Sequence, residues 1–246
     1  MTRHLAFILL AAVALTGCEK AIDENRSETS RAFPLPDRPV SDLGSNQFAP
    51  ETQRDSVGEA QKVMDLAEIA PGMTVADIGA GEGYYTVRLA ERVGADGRVL
   101  AQDIDPDALQ RLGARVERER LDNVSIKLGA PDDPRLPDNS FDRIFLVHMY
   151  HEVREPYAFL WRMWPALREG GQVIVVDVNR PPDQHGIDPL LLSCEFLRSG
   201  FDLVAFKDAP EIKGYYAQFK AAATRPEPES IEPCHGTGDQ AKKPAK

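Results

Sequence analysis

The chain has 246 residues, enough for one domain with a sizeable core and tails at either end. A net charge of −10 and a sequence pI near 5.1 argue against a nucleic-acid backbone as partner, because that role needs a basic stripe. The arginines at Arg111, Arg115, Arg118 and Arg120 are interleaved with Glu117 and Glu119, which reads as a solvated helix face.

Thr2-Arg3-His4 is a short basic start, and 5–15 is an unbroken apolar run of 11 residues. The run is too short for a bilayer-spanning helix and fits the core of a secretion signal. The sequence Leu15-Thr16-Gly17-Cys18 that closes it resembles the bacterial lipobox, whose cysteine is lipidated after cleavage. The resemblance implies a signal peptide over 1–17, a lipid anchor at Cys18 and a periplasm-facing membrane protein. Glu19, in place of Asp, resembles the outer-membrane pattern. The competing reading, a buried strand or a misassigned start, would leave the protein cytoplasmic.

Residues 18–50 are polar and rich in Pro, Ser and Asp, and the expectation is a tether. Residues 51–222 are expected to form the single folded domain, and 223–246 a disordered tail rich in Pro, Glu, Gly and Lys. A disulfide between Cys194 and Cys234 is permitted after export. Cys194 lies in an apolar helical run, however, which favours a plain buried thiol.

Within the domain, strand and helix alternate. Residues 59–69 form an amphipathic helix with Ala60, Val63, Met64 and Ala67 on one face, ended by Pro71-Gly72. The first strand spans 74–78 and a helix follows over 84–93. The second strand spans 98–104, and Asp105-Pro106 caps the next helix. Strands are predicted at 124–128 and at 141–149, the latter apolar enough for a buried parallel strand. A helix over 156–167, a fifth strand over 173–178 and a helix over 189–198 come next. Two last strands, around 203–206 and 215–220, have no helix between them and are expected to pair antiparallel. Regular alternation of this kind makes a doubly wound α/β sandwich, with its ligand at the carboxyl ends of the strands.

The densest chemical signal is Val75-Ala76-Asp77-Ile78-Gly79-Ala80-Gly81-Glu82-Gly83-Tyr84-Tyr85. A strand, a glycine turn and a helix start bring backbone N–H groups close to a small molecule. The spacing is G-x-G-x-G, whereas a dinucleotide fingerprint is G-x-G-x-x-G. Asp77 would also repel a pyrophosphate and attract an amine. A dinucleotide or nucleotide-sugar ligand is therefore disfavoured.

Over 52–222 the domain resembles the class I S-adenosylmethionine-dependent methyltransferases that act on small molecules. Four features carry the resemblance: the 75–81 motif, Asp103 at the end of the second strand, the run from Gly129 to Asp142 with Leu136-Pro137-Asp138-Asn139-Ser140-Phe141-Asp142, and the turn Leu167-Arg168-Glu169-Gly170-Gly171. The last departs from the family by Glu169 in place of proline. The resemblance implies a Rossmann-like, seven-stranded, mostly parallel sheet of order 3-2-1-4-5-7-6 with strand 7 antiparallel. It further implies S-adenosyl-L-methionine as cofactor and a small-molecule methyl acceptor.

The cofactor would lie against Gly79, Ala80, Gly81 and Gly83, with Asp77 toward its amino-acid end. Asp103 would take its ribose hydroxyls and Ile104 its adenine, while one of Tyr84 and Tyr85 faces the pocket. The family's acid after strand three is missing at Ala130. Pro131 and Asp132 complete that loop, and Asp132 or a backbone carbonyl would have to read the adenine amine. Arg54 is a candidate partner for the cofactor carboxylate, and His148 a candidate lining residue.

After strand four, His151 is the preferred acid/base or acceptor-orienting residue, with Glu152 as its partner. His185 and Glu195 fall in the region that often covers the acceptor. No metal is expected, since H-x-x-H-E is not the H-E-x-x-H of zinc peptidases. A cofactor made in the cytosol sits uneasily with export, so a non-catalytic ligand-binding module on the same fold is the alternative reading.

Overall fold

The computed structural model describes residues 26–43 and 50–236. The signal segment 1–17 and Cys18 lie outside the described residues. The helices are α1 (Glu51–Ser56), α2 (Glu59–Leu66), α3 (Tyr84–Val93), α4 (Pro106–Glu119), α5 (Pro156–Met163) and α6 (Pro189–Arg198). The strands are β1 (Thr74–Ile78), β2 (Arg98–Asp103), β3 (Val124–Leu128), β4 (Phe141–Val147), β5 (Leu167–Asp177), β6 (Phe201–Ala209) and β7 (Gly214–Ala221). They form one sheet of order β3-β2-β1-β4-β5-β7-β6. The pairs β1/β2, β1/β4, β2/β3 and β4/β5 are parallel; β7 runs antiparallel to both β5 and β6. The expected order is therefore the observed one.

Side-chain alternation along the central strands divides the interior into two cores. Ala76, Ile78, Ile144, Leu146, Val173 and Val175 pack on one side with Phe159, Leu160, Leu192 and Phe196 of α5 and α6. Val75, Phe145, Ile174 and Val176 pack on the other side with Val63 and Met64 of α2 and Leu89 and Val93 of α3. Full burial of each such side chain contributes about 1.5–3 kcal/mol. That two-sided burial explains the near-continuous apolar runs of β4 and β5.

Two helices are shorter than expected, and that over 59–69 ends at Leu66. The run 156–167 leaves α-geometry after Met163, because Pro165 has no N–H to donate; a 3₁₀ turn over Trp164–Ala166 leads directly into β5. At Gly171 in β5, an added Cβ would lie 2.6 Å from the carbonyl oxygen of Phe141, so the strand entry tolerates no side chain there.

The largest departures from expectation are at the two ends. Residues 26–43 do not form a free tether: they lie as an arm across α5 and α6. Arg26 makes a bidentate pair with Glu155, with both distances 2.7 Å. Phe33 is buried and meets the Trp161 ring edge-on at 5.6 Å. Arg38, almost wholly buried, pairs with the fully buried Glu195 at 2.8 Å.

Residues 223–236 are likewise packed. Arg225 lies over the Trp161 ring at 3.5 Å, and Ile231 joins Phe33 and Tyr157 in a small third core. Cys234 is joined to Cys194 by a disulfide, against the expectation of a free thiol. A backbone bridge between Asp37 and His235 links the arm to the C-terminal segment. A few apolar and charged anchors spread over polar sequence hold both segments, and such anchors have no periodicity to detect.

Candidate active site

The turn after β1 positions the site. Gly79, Gly81 and Gly83 all have positive φ, at +69°, +53° and +88°. A Cβ on Gly79 would approach the Met149 side chain to 2.9 Å, and one on Gly83 would lie 2.5 Å from Leu112 Cδ1. These two glycines serve packing as well as backbone conformation. Nothing lies within 4 Å of the Cβ position on Gly81, so Gly81 is the glycine of the turn that faces open space. The Ala80 N–H donates to the Gln102 carbonyl at 3.0 Å and fastens the turn to β2.

Asp103, at the end of β2, is held by two backbone donors. The Gly81 N–H reaches its Oδ2 at 2.8 Å and the Asp105 N–H its Oδ1 at 3.0 Å. Each carboxylate oxygen keeps a second lone pair for a ligand hydroxyl. Ile104, partly exposed, follows at the same edge.

Asp77 lies near the end of β1. It is 3 % exposed, and its Oδ2 accepts a 2.6 Å hydrogen bond from Thr86 Oγ1 in the first turn of α3. Burial pushes its carboxyl up to about 6, against the lowering effect of the Thr86 bond. The carboxylate thus ties β1 to α3 from within the fold.

Arg54, Tyr84 and His148 also belong to an internal network. The Arg54 guanidinium pairs with Glu59 at 2.6 Å and lies 3.8 Å from the Tyr84 ring centroid. Arg88 lies over the same ring, also at 3.8 Å, and the Tyr84 hydroxyl donates to Asp55. Tyr84 therefore joins α1 to α3, while Tyr85 packs on Phe145 and donates to Glu59. His148 Nε2 is 3.5 Å from Glu59. Burial alone would raise the Glu59 carboxyl, but its bonds to His148 and Arg54, with their charges, outweigh burial and bring it to about 2. A hollow of about 460 Å³ near this network is bordered by Asp55, Gln61, Arg88 and Arg92, helix residues away from the strand ends.

On the adenine side of the expected pocket, Asp132 is already engaged. It accepts from Ser27 and Ser30 of the arm, both at 2.5 Å, and from Arg162 at 2.8 Å. Its Oδ2 is thus held by the arm and Arg162. Ala130 N–H and C=O both bond Asp133, closing a tight turn around Pro131. Gln102, unnoticed in the sequence, lies where a side chain on Gly129 would stand. Its Nε2 is buried without a hydrogen-bond partner among the described residues.

The segment after β4 carries the second half of the site. His151 is fully buried, and its Nδ1 lies 3.0 Å from both carboxylate oxygens of Asp177 at the end of β5. Asp177, not Glu152, is therefore its close partner; Glu152 Oε1 is 4.0 Å from His151 Nε2. Sequence reasoning passed over Asp177, although an acid closing an apolar strand is the signal that Asp103 also gives. The His185 ring meets His151 edge-on at 5.7 Å. Beside them Glu195 accepts from Tyr150 at 2.8 Å and pairs with Arg38, so it is occupied by the arm.

A family model described as a methyltransferase domain matches residues 75–171, which run from β1 through the Gly170-Gly171 entry of β5. The fold is that of the class I methyltransferases. Among curated relatives, the ubiquinone/menaquinone biosynthesis C-methyltransferase UbiE of Shewanella sp. (strain ANA-3) is 30% identical over 151 residues, covering 61% of this chain and 55% of that protein. The chain thus spans about half the length of the curated relatives it matches. A SAM-dependent methyltransferase from Aquifex aeolicus superposes with a TM-score of 0.62 at 22% identity, over 71% of this chain and 98% of that one. The [4+2]-cyclase SpnF superposes at 0.59 with 14% identity, over 80% of this chain and 92% of that one. The methyltransferase fold of this chain thus shares its architecture with a protein named for a different reaction.

Proposed function

We propose that the chain is an S-adenosylmethionine-dependent methyltransferase for a small-molecule acceptor, anchored to a membrane through Cys18 and facing the periplasm. The observation that carries the cofactor is the pairing of Gly81 and Asp103: an open glycine backbone donates to a carboxylate at the adjoining strand end. Two backbone N–H groups hold that carboxylate in one orientation, ready for a pair of ribose hydroxyls. Gln102 Nε2, a buried donor against Gly129, stands beside the loop assigned to adenine, whose ring nitrogens are acceptors.

A bound sulfonium cofactor supplies an already activated methyl group, so positioning provides much of the rate. On the acceptor side, Asp177 fixes the His151 ring through Nδ1, and Nε2 is the nitrogen that would orient the acceptor or take its proton. Arg38 and Ser41 of the arm bond the His151 and Val153 carbonyls, which shields this region from water. The Cys194–Cys234 disulfide supports an oxidising compartment, in keeping with the lipobox.

One observation favours the alternative, a non-catalytic module: one carboxylate oxygen of Asp77 is bonded to Thr86 and one of Asp132 to the arm and Arg162, so both acids have partners within the protein. Calorimetric titration with S-adenosylmethionine and its demethylated product decides between the two. Saturable binding of both supports the enzyme; no binding at millimolar concentration rejects it. For the anchor, Cys18→Ser should move the protein from the membrane to the soluble fraction, and continued retention would reject the lipobox.

A further inference from the structure

We propose that His151, Glu152 and His185 form a binding site for a divalent first-row transition cation of the zinc type. One ligand atom from each of the three side chains lies within 4.8 Å of the other two. Two imidazoles and a carboxylate are a ligand set of zinc sites that keep a coordination position open.

The surroundings fit a cation beyond the three donors. Asp177 is fully buried and holds the His151 Nδ1 at 3.0 Å. A carboxylate behind a metal-binding histidine fixes the ring and raises the basicity of the nitrogen that ligates. The ring's other nitrogen, Nε2, is the one 4.0 Å from Glu152. Asp177 also accepts from the Val178 N–H, and its ion-pair partner among the described residues is His151. A cation on Nε2 would place positive charge beside a carboxylate that burial otherwise penalises. The nearby Arg38 does not compete for these groups, since its guanidinium is paired with Glu195.

Donor atoms around a zinc-type ion stand about 3.3 Å apart when the bonds are ~2.0–2.1 Å long. The cluster must therefore contract on binding, by rotation of the part-exposed Glu152 and His185 side chains. Their place in the chain explains why sequence spacing argued against a metal. His151 and Glu152 are adjacent after β4, whereas the third ligand arrives from the loop after β5. A cation on Nε2 would occupy the lone pair that otherwise takes the acceptor's proton, so the two roles are alternatives at that atom, and cation binding does not require that the chain transfer methyl groups.

The test is titration of the full-length protein, tag removed and metal stripped by a chelator, with Co²⁺ followed by visible absorption and with Zn²⁺ in competition. One Co²⁺ per chain, an intense low-coordinate spectrum and displacement by Zn²⁺ are expected. His185→Ala and Glu152→Gln should each weaken binding at least about tenfold without altering the melting of the metal-free protein. Asp177→Asn, a change in a positioning residue, should weaken it by about 10–100-fold. Absence of saturable binding would overturn the proposal, and so would binding that His185→Ala leaves unchanged, since the ion would then sit elsewhere.

Discussion

Asp77→Asn should stabilise the protein above neutral pH. In the fold the Asp77 carboxyl titrates at about 6, because burial penalises its charge more than the Thr86 bond relieves it. In the unfolded chain it titrates near 3.9. A raised carboxyl favours folding when protonated, so its contribution is fully present below the unfolded value and is lost as pH rises through about 6. The separation of roughly two units corresponds to about 3 kcal/mol of destabilisation at pH 7.5, falling to about 1 kcal/mol at pH 4.5. Asparagine keeps an acceptor for Thr86 and carries no charge. The variant should therefore gain about 3 kcal/mol at pH 7.5, roughly 6–12 °C in melting temperature for a chain of this size. Glu59 works in the opposite sense and in a lower window. Its carboxyl is depressed to about 2, so the stability it lends is lost as pH falls from about 4.5 toward 2. The assay is thermal and urea unfolding of the ligand-free wild type and variant at pH 4.5 and 7.5. A gain of equal size at both values, or a loss at pH 7.5, would refute the electrostatic reasoning.

The arm offers a second test. Arg38→Ala leaves Glu195 charged and buried, and should cost about 3–5 kcal/mol in urea unfolding. Pairing it with Glu195→Gln should recover part of that loss; additive losses would mean the two groups do not interact. Cys194→Ser opens a loop with a sequence separation of 40 and should cost up to about 4 kcal/mol. Wild type treated with reductant should melt like the variant, and a wild type that does not respond to reductant would argue against the bond. Asp103→Ala should lower S-adenosylmethionine affinity by about 1–3 kcal/mol, a factor of about 5–150, in calorimetric titration. Unchanged affinity would remove Asp103 from the pocket.

The alternation of strands and helices was legible because the central strands are apolar and most are joined through helices, whereas their order followed only from the resemblance to the methyltransferase family. The glycine turn and Asp103 were legible because strand-end chemistry sits within a few residues of its strand. What escaped reading was of another kind. Asp132, expected at the adenine, is held by Ser27 and Ser30 from more than a hundred positions away in the chain. Glu152 was expected beside His151, but the nearer carboxylate is that of Asp177, delivered by the neighbouring parallel strand. The arm and C-terminal segment read as polar and mobile because Phe33, Ile231 and Cys234 are isolated anchors in polar sequence.

By itself, the sequence determined the doubly wound sheet and the placing of a glycine turn and an acid at strand ends, while the order of the strands came from the family resemblance. Hydrophobic periodicity and backbone sterics are local, and they act within a dozen residues. Only the tertiary structure decided where the charged groups go. It turned Asp77 inward to Thr86, gave Asp132 and Glu195 to the arm and brought His151, Glu152, His185 and Asp177 together at the ends of β4 and β5. A buried charge must find its partner wherever the packed chain offers one, and that choice is made by contacts between residues remote in sequence.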